Sequence, residues 1–488
     1  MKIDAPRKYV TDNLKYALDP GSIAVVGASR YPNKVGYKVI EGLQKWGYDG
    51  KIYPVNPRAD KVAGLKAYPT VMDIPDDVDL VFIALPAHLV KMVLEETVKK
   101  KAKMVVIATS AFKEIGRGDM QNNLTQFCRD NELPMVGPNL VGMGSPYLNF
   151  NCGFIPYLPV EGPVAMISQS GANLLAALGA SQKDHYGMSF FVGLGNKADV
   201  DFSEFIVYAK DDPNTGCIAT YIEGLDSPEA YIEACREVVP KKPVVAIKVG
   251  GSKIGVKAAF AHTASENEGT NDATYDEIFD KAGVIRATTW QEYLDTSLAL
   301  GLQPPLRDDN VVMITNGGGS GLLSCDHFER CGMPMRELKE ISPLLSERIR
   351  AFMPMFGSPL NPVDISGTAT PKQYKGAITQ AICDPNVSAV YGSICPTAVT
   401  DVDAVTDIYI DIYNQYKHLG KPLIMEAQGG QECERAIMRL RDAGIPAYPT
   451  AEQAVNAIVA LRKYGKILDR FEKEAAGDTA AETAAEEV

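Results

Sequence analysis

The chain has 488 residues, a length that corresponds to about three domains at ~100–200 residues each. Hydrophobic residues make up 46% and charged residues 23%, as in ordinary soluble globular proteins. The formal net charge of −12 disfavours non-specific binding to nucleic acid, because phosphates would be repelled, although helix N-termini and glycine loops can still bind phosphate-bearing cofactors locally.

Targeting and redox features of the sequence point to the cytoplasm. No apolar run reaches the ~18 residues of a membrane-spanning helix. The segment Met1–Tyr16 carries charge but lacks the apolar core of a signal peptide. The nine cysteines include no C-x-x-C pair and none at zinc-ligand spacing from a histidine. We therefore predict a cytoplasmic protein with reduced thiols, no metal site, no membrane partner and no nucleic-acid partner.

The first segment, residues 1–150, alternates predicted strands with helical patterns. One helical pattern follows the first strand at Lys34–Trp46, and another covers Leu89–Lys100. Strands that alternate with helices favour a parallel, doubly wound sheet. The predicted strands are Ser22–Val26, Lys51–Val55, Leu80–Leu85 and Met104–Ala108.

Two further rounds of this pattern follow, at residues 151–305 and 306–465, with proline-containing linkers at Ile155–Pro163 and Gly301–Asp309. Residues 466–488 are rich in Ala and Glu, and we predict a disordered acidic tail. The sequence thus predicts an α/β fold of three consecutive Rossmann-like or flavodoxin-like domains with doubly wound parallel sheets. The predicted strands of these later segments are Val164–Ile167, Ile218–Ile222, Val244–Lys248, Val311–Thr315, Val387–Tyr391 and Leu423–Glu426.

Each of the three segments opens with a strand, a glycine turn and a helix, at Gly27, Gly171 and Gly317. The turn at Gly27 places free backbone N–H groups at a helix N-terminus, where they suit a pyrophosphate. A dinucleotide site of the NAD type would have an acidic residue after the second strand, and Asn56 stands there instead. A tight packing turn that binds no ligand is the alternative interpretation.

The second glycine turn, Ser168–Ala172, lacks the G-x-S-x-G pattern of a nucleophilic serine. Its hydroxyl groups and helix N–H groups could hold a phosphoryl group without attacking it. A purely structural turn is an equally good interpretation of this string alone.

His262 lies in the Gly-, Ala- and Ser-rich stretch Gly250–Ser265, a composition typical of a mobile loop. A lone histidine is more often structural, but imidazole is also the side chain suited to carrying a phosphoryl group between sites. A carboxylate on the other ring nitrogen would fix the tautomer, and Glu223 at a predicted strand end is the candidate. A glutamate at a strand end is also common as a solvated residue.

Taken together, nine strings in order resemble the nucleoside-diphosphate-forming acyl-CoA synthetases, whose relatives include succinyl-CoA synthetase. The resemblance covers roughly Leu14 to Lys463. The strings are Val26–Ser29, Tyr53–Pro57, Ala111–Glu114, Gly137–Asn139, Ser168–Ala172, Gly195–Asp201, Tyr221–Gly224, Ala261–Thr263 and Asn361–Asp364.

The resemblance implies roles for residues in three groups. His262 is implied to be the phosphorylated histidine and Glu223 its partner carboxylate, with no metal among the site groups. The CoA site is implied to contain Gly27, Ala28, Ser29, Asn33, Val35, Asn56, Pro86 and Ser110. The site for the acyl group and phosphate is implied to contain Asn139, Ser168, Gln169, Ser170 and Gly171. The implied reaction is acyl-CoA + phosphate + ADP or GDP ⇌ acid + CoA + ATP or GTP, through an acyl phosphate and a phosphohistidine.

Two departures from the family pattern matter. Leu140 stands where the family commonly has Cys after Gly-Pro-Asn, a difference that bears on the acyl pocket. The sequence also has no Walker-type string and no nucleotide-grasping segment. The resemblance therefore implies a separate ATP-grasp, beta-type partner subunit that binds most of Mg-ADP or Mg-ATP (or the guanine nucleotides), in an α2β2-like hetero-oligomer.

Two other functions compete with this enzyme. A non-catalytic protein of the same fold could bind CoA or acyl-CoA for regulation, and its His262 would then stay unphosphorylated. A Rossmann-type dehydrogenase is disfavoured by Asn56, which stands where an acidic residue would bind the ribose.

Overall fold

The computed structural model describes residues 7–252, 254–255 and 272–486, and the chain divides into two compact units after Thr288. The predicted α/β class is confirmed, because both units consist mainly of parallel strands connected by helices. Among the described residues, no helix combines the length and the apolar composition that crossing a membrane requires.

The first sheet of the first unit is parallel, with strand order β2-β1-β5-β6-β7. All residues of β1 and β5 are buried, as expected for strands covered on both faces. Its strands are β1 (Ser22–Val26), β2 (Lys51–Val55), β5 (Leu80–Ile83), β6 (Met104–Ile107) and β7 (Met135–Val136), and a small hairpin consists of β3 (Lys61–Val62) and β4 (Leu65–Lys66). The helices of this part are α1 (Lys8–Asn13), α2 (Val35–Trp46), α3 (Ala87–Lys100) and α4 (Gly118–Asp130), with 3-10 turns at Leu14–Ala17, Val71–Asp73 and Lys113–Ile115.

The second sheet of this unit has the order β14-β13-β12-β10-β11-β8-β9. Its first five strands are parallel, and β8 and β9 form an antiparallel hairpin at one edge. The strands are β8 (Gly142–Ser145), β9 (Phe150–Gly153), β10 (Glu161–Ser168), β11 (Met188–Gly193), β12 (Cys217–Ile222), β13 (Val244–Lys248) and β14 (Ile285–Ala287). The helices are α5 (Gly171–Asp184), α6 (Phe202–Asp211), α7 (Pro228–Val238) and α8 (Asp272–Ala282), with a 3-10 turn at Pro146–Leu148.

The β8–β9 hairpin was not predicted, because its strands are rich in glycine rather than in apolar residues. A Cβ atom on Gly142 would overlap the carbonyl oxygen of Cys152, so the two backbones need glycine at this approach. The hairpin also packs on α2, and just beyond the end of that helix the rings of Tyr48 and Phe150 lie 5.3 Å apart. The predicted boundary at residue 150 therefore falls inside an element of the second sheet.

The second unit contains a parallel sheet with the order β16-β15-β17-β18-β19. Its first helix, α9 (Trp290–Leu302), lies before the predicted domain boundary at residue 305 but belongs to this unit. The strands are β15 (Val311–Thr315), β16 (Val363–Asp364), β17 (Ala389–Ile394), β18 (Leu423–Ala427) and β19 (Ala447–Tyr448). The remaining helices are α10 (Gly318–Arg330), α11 (Leu338–Ile341), α12 (Leu345–Arg350), α13 (Pro371–Cys383), α14 (Val402–Tyr416), α15 (Gln431–Asp442) and α16 (Ala451–Glu486), with a 3-10 turn at Lys417–Leu419.

Helix α16 continues through most of the segment for which a disordered tail was predicted. Leu468 and Phe471 are at most 9% exposed, so an apolar face extends beyond residue 466. Arg307 also forms ion pairs with Asp469 and Glu472 on this helix. The prediction placed the start of the tail too early, because it weighed the Ala/Glu composition and overlooked these two apolar residues.

Candidate active site

A cavity of about 670 Å³ lies in the first unit and brings together residues from both of its sheets. The turns that follow the parallel strands line the cavity, which is where ligands bind in open α/β sheets. Eight residues singled out from the sequence line it: Val35, Pro86, Ser110, Asn139, Leu140, Gln169, Gly171 and Glu223. Strings that are distant in the sequence thus meet at one cavity.

The other predicted residues do not line this cavity: Gly27, Ala28, Ser29, Asn33, Asn56, Ser168 and Ser170. Gly27 has φ +91°, and a Cβ atom there would overlap the carbonyl oxygen of Ala84. A Cβ atom on Gly36 would in turn overlap the carbonyl oxygen of Gly27. Glycine at these two positions is therefore required by the packing of the turn, and a larger residue at Gly27 would not be a selective test of ligand binding.

Asn56 and Ser29 are engaged within the turn. The Asn56 amide donates to the carbonyl of Ala28, and its Oδ1 accepts from the backbone N–H of Arg58 at 2.8 Å. The Ser29 hydroxyl accepts from the backbone N–H of Tyr31 at 3.1 Å. These side chains shape the carboxyl ends of β1 and β2. Asn33 lines a second cavity of about 530 Å³, which shares Val35 with the first.

The start of α2 offers donors to an anion. Its N-cap residue, Lys34, makes no side-chain capping hydrogen bond, so the first backbone N–H groups of the helix are not capped by that residue. Val35 is the first residue of the helix, is 37% exposed and lines the cavity. A phosphate at this point would meet both the N–H groups and the positive end of the helix dipole.

The second glycine turn uses its serines internally. The fully buried Ser168 hydroxyl donates to the carbonyl of Ser170 at 2.9 Å and accepts from the Ser170 N–H at 3.1 Å. Ser170 is the N-cap of α5 and accepts from the Asn173 N–H at 3.4 Å. Both hydroxyls therefore stabilise the turn, and Gly171 is the residue of the α5 start that reaches the cavity.

Gln169 positions the segment that carries Glu223. Its Oε1 accepts from the backbone N–H groups of Glu223 at 2.6 Å and Gly224 at 3.1 Å, beyond the end of β12. Burial and the nearby Glu223 carboxylate raise the pKa of Tyr221 to about 12, so its hydroxyl stays protonated. That hydroxyl accepts from the Asn173 amide at 2.8 Å, which ties α5 to β12.

The string at Asn139 is interlocked with the string that begins at Gly195. Asn139 has φ +64°, its N–H donates to the carbonyl of Thr109 at 2.9 Å, and its amide donates to Asn196 Oδ1 at 3.2 Å. The Asn196 N–H donates to the carbonyl of Pro138 at 2.8 Å. A Cβ atom on Gly195 would overlap the carbonyl oxygens of Pro138 and Asn139, so only glycine permits this approach.

Asp199, from the same string, has a structural role. Its side chain is completely buried, accepts from Arg7 and from Arg129 Nε at 2.9 Å, and its Oδ2 accepts from the Met135 N–H at 3.2 Å. Through these contacts Asp199 joins Arg7, α4 and β7 to the second sheet.

Sequence reasoning assigned no role to several other residues that line the cavity, including His88, Arg117, Val141 and Phe154, and it noted Asn196 only within the string Gly195–Asp201. His88 follows the end of β5 by a few residues, and this position is the signal that could have identified it. Phe154 follows the unpredicted strand β9, so it could not have been placed.

His262 lies outside the described residues, so the structure places neither this side chain nor its distance to Glu223. Its predicted role stays a prediction.

The third glycine turn, in the second unit, lies over a buried glutamate that the sequence did not mark as unusual. Glu426 is completely buried in β18, and its Oε2 accepts from the hydroxyls of Ser320 at 2.7 Å and Tyr391 at 2.8 Å. Asn316 accepts from the Cys395 N–H at 2.8 Å. This network fixes the turn at the start of α10.

Models of three families match successive parts of the chain. Residues 21–145 match a CoA binding domain, residues 161–300 a succinyl-CoA ligase-like flavodoxin domain, and residues 311–470 a ligase-CoA domain.

Full-length relatives agree with these matches. The chain is 39% identical over 460 residues to the acetate–CoA ligase [ADP-forming] I subunit alpha of Pyrococcus furiosus, covering 93% of this chain and 98% of the relative. It is 36% identical to the acetate–CoA ligase [ADP-forming] of Methanocaldococcus jannaschii, covering 92% of this chain but 63% of that longer relative. Among solved structures, the dinucleotide forming acetyl-coenzyme A synthetase 1 of Ca. Korarchaeum cryptofilum, in complex with phosphate and ADP, has a TM-score of 0.88 and 34% identity, covering 95% of this chain and 99% of that one. The chain therefore belongs to the nucleoside-diphosphate-forming acyl-CoA synthetases and is an alpha-type chain of that family.

Proposed function

We propose that the chain is the CoA-binding, phosphohistidine-carrying subunit of an acid–thiol ligase. The reaction is acyl-CoA + phosphate + ADP or GDP ⇌ acid + CoA + ATP or GTP. The observation that supports this most directly is the cavity, which is lined both by residues of the implied CoA site and by residues of the implied phosphate site. Relatives named as acetate–CoA ligase subunits weigh against a purely regulatory binder.

We propose roles for the described residues from their positions at the cavity, and a role for His262 from the family resemblance. CoA would lie along the carboxyl ends of β1, β5 and β6, with its pyrophosphate at the start of α2 near Val35 and its thioester towards Asn139. Phosphate would bind near Gly171, at the positive end of α5, where helix N–H groups stabilise charge that develops in an acyl phosphate. His262 would then take the phosphoryl group, with Glu223 orienting the imidazole.

We also propose a division of labour among three domains and a partner chain. Residues 1–150 would bind CoA, 151–305 would carry the phosphohistidine loop, and 306–465 would form a second succinyl-CoA-synthetase-like domain. The Methanocaldococcus relative contains more than a third of its length beyond the part that this chain matches. We propose that an ATP-grasp, beta-type subunit supplies the equivalent part in a cytoplasmic, α2β2-like assembly and binds Mg-ADP.

This partnership predicts that the purified chain alone forms no ATP from acyl-CoA, phosphate and ADP. Adding the ATP-grasp chain should restore ATP formation, measured by coupled luminescence with a panel of acyl-CoA thioesters. Sustained, thioester-dependent ATP formation by the chain alone, after contaminants are removed, would contradict the two-chain assembly.

The placement of CoA can be tested at Val35. Val35→Glu should leave stability unchanged, because the position is partly exposed and a carboxylate is favourable at a helix N-terminus. It should weaken CoA binding about fivefold or more, since a like charge a few ångströms from a pyrophosphate costs between about 1 and 4 kcal/mol. The measurement is calorimetric titration of the chain with CoA.

Val35→Gln is the matched control, because glutamine has the same size as glutamate without the charge. It should retain most of the affinity. Equal affinities of the Glu and Gln variants would show that the pyrophosphate lies elsewhere.

A further inference from the structure

A row of hydrogen-bonded polar side chains leads from Asn139 away from the cavity. The Asn139 amide donates to Asn196 Oδ1 at 3.2 Å. The Asn196 amide donates at 2.8 Å to Glu114 Oε2 and at 2.9 Å to Gln121 Oε1. The other oxygen of Glu114 accepts from the backbone N–H of Ala111. Asn139 and Asn196 line the cavity, whereas Glu114 and Gln121 do not.

The hydrogen-bonding groups of this row leave one orientation for the side-chain amides of Asn196 and Asn139. Both oxygens of Glu114 face N–H donors, which suits an ionised carboxylate because it can only accept hydrogen bonds. Asn196 must therefore turn its NH₂ group towards Glu114, which leaves its Oδ1 to accept from Asn139. The Asn139 amide is fixed in turn, with its NH₂ group on the Asn196 side.

The Glu114 carboxylate, at the far end of this row, stays charged. Burial raises the pKa of Glu114, but the hydrogen bonds from Asn196 and from nearby backbone N–H groups outweigh burial, and the net pKa lies below its usual value. Glu114 is therefore ionised at neutral pH and accepts hydrogen bonds through both of its oxygens.

We infer that Glu114 is a positioning residue, which acts through Asn196 to fix the donor and acceptor atoms that Asn139 presents to the acyl and phosphate groups. This inference rests on the proposed function, because it assumes that these groups bind beside Asn139. A flipped Asn139 amide would exchange donor and acceptor at the reaction centre. The hydrogen bonds between the strings Ala111–Glu114, Gly137–Asn139 and Gly195–Asp201 are thereby part of the reaction machinery.

Glu114→Gln is the informative variant, because glutamine has one acceptor oxygen for two donors. If that oxygen keeps the Ala111 N–H, its NH₂ group faces Asn196, and the flip passes along to Asn139. We expect kcat of the complex with its ATP-grasp partner to fall roughly 10- to 100-fold, as for other lost supporting contacts and misplaced groups. The Kd of CoA for the chain should be unchanged. Glu95→Gln, on the exposed face of α3, is the control for loss of a charge and should behave as the wild type.

A reversal of the hydrogen-bond pattern should rescue the activity. In the double variant Glu114→Gln/Asn196→Asp, the NH₂ group of the new glutamine donates to one oxygen of the new aspartate. The second oxygen of that aspartate accepts from Asn139, as the Asn196 amide oxygen does in the wild type. Gln121 can turn to donate as well. The double variant should therefore regain most of the lost kcat. A merely disruptive effect would instead grow with the second change. If the single variant does not fold, the double variant carries the test by itself.

The outcomes separate this inference from the proposed function. ATP formation by the wild-type complex tests the proposed function, and the ratio of variant to wild type tests the role of Glu114. Wild-type kcat in Glu114→Gln would overturn the inference. A double variant that is unfolded, or no more active than the single variant, would also overturn it, because a loss that depends on amide orientation must be reversible.

Discussion

Replacing His262 by alanine is expected to abolish acyl-CoA-dependent ATP formation by the two-chain complex and to leave CoA binding intact. We propose that the acyl phosphate forms beside Gly171 in this chain and that ADP binds to the partner. Direct transfer requires the reacting atoms to approach within roughly 3–3.5 Å, so two separate sites need a carrier. Imidazole can serve as that carrier, since it is nucleophilic when neutral and its phosphoramidate transfers readily.

The adduct itself is measurable. Incubation of the wild-type complex with ATP and Mg²⁺ should give an acid-labile, base-stable phosphoryl group on the peptide that contains His262, and the variant should lack it. Glu223→Gln should lower turnover without changing CoA affinity. His418→Ala, at an exposed site in the second unit, should keep both the adduct and the activity. Near-normal turnover in His262→Ala would remove the carrier from the mechanism and would favour a regulatory binder.

Replacing Asp199 by alanine is expected to destabilise the first unit by about 3 kcal/mol. The variant loses charge-assisted hydrogen bonds to Arg7 and Arg129 and leaves the buried N–H of Met135 without its acceptor. The two arginines are partly exposed and can be rehydrated, which limits the cost. The measurement is the shift of the urea midpoint of the first unit.

An exposed ion pair provides the control for this prediction. Asp12 pairs with Lys8 at 2.7 Å and is 56% exposed, so Asp12→Ala should change stability by no more than about 1 kcal/mol. Similar midpoints for the two variants would show that Asp199 contributes no more than a surface charge does.

Ten of the fifteen parallel strands in the described residues were predicted, mostly because burial makes them apolar runs, whereas β7, β11, β14, β16 and β19 were missed. The bounds of β1, β2, β13 and β15 agree with the sequence prediction to the residue. The β8–β9 hairpin could not be predicted, since Gly142 and Gly153 are selected by the approach of two backbones and not by hydrophobicity. Such a requirement is visible only once the neighbouring chain is in place.

The site could be predicted as a set of strings but not as a set of contacts. Asn139, Gln169 and Glu223, which the resemblance singled out in separate strings, all line one cavity. The sequence could not separate Gly171, which lines the cavity, from Ser168, whose hydroxyl stays within the turn. That distinction depends on which way each side chain of a tight turn points, and three-dimensional packing decides it.

The hairpin also determines how the polypeptide can be divided. A fragment that ends near residue 150 would retain Gly142–Ser145 but lose both β11 and most of β9, the strands that pair with it. The freed edge would present unpaired N–H and C=O groups and would promote association between fragments. The same cut would remove Asp199 from Arg7 and Arg129. The smallest piece that keeps every strand of both sheets paired is therefore the whole first unit, so a cut at residue 150 does not separate two independent modules.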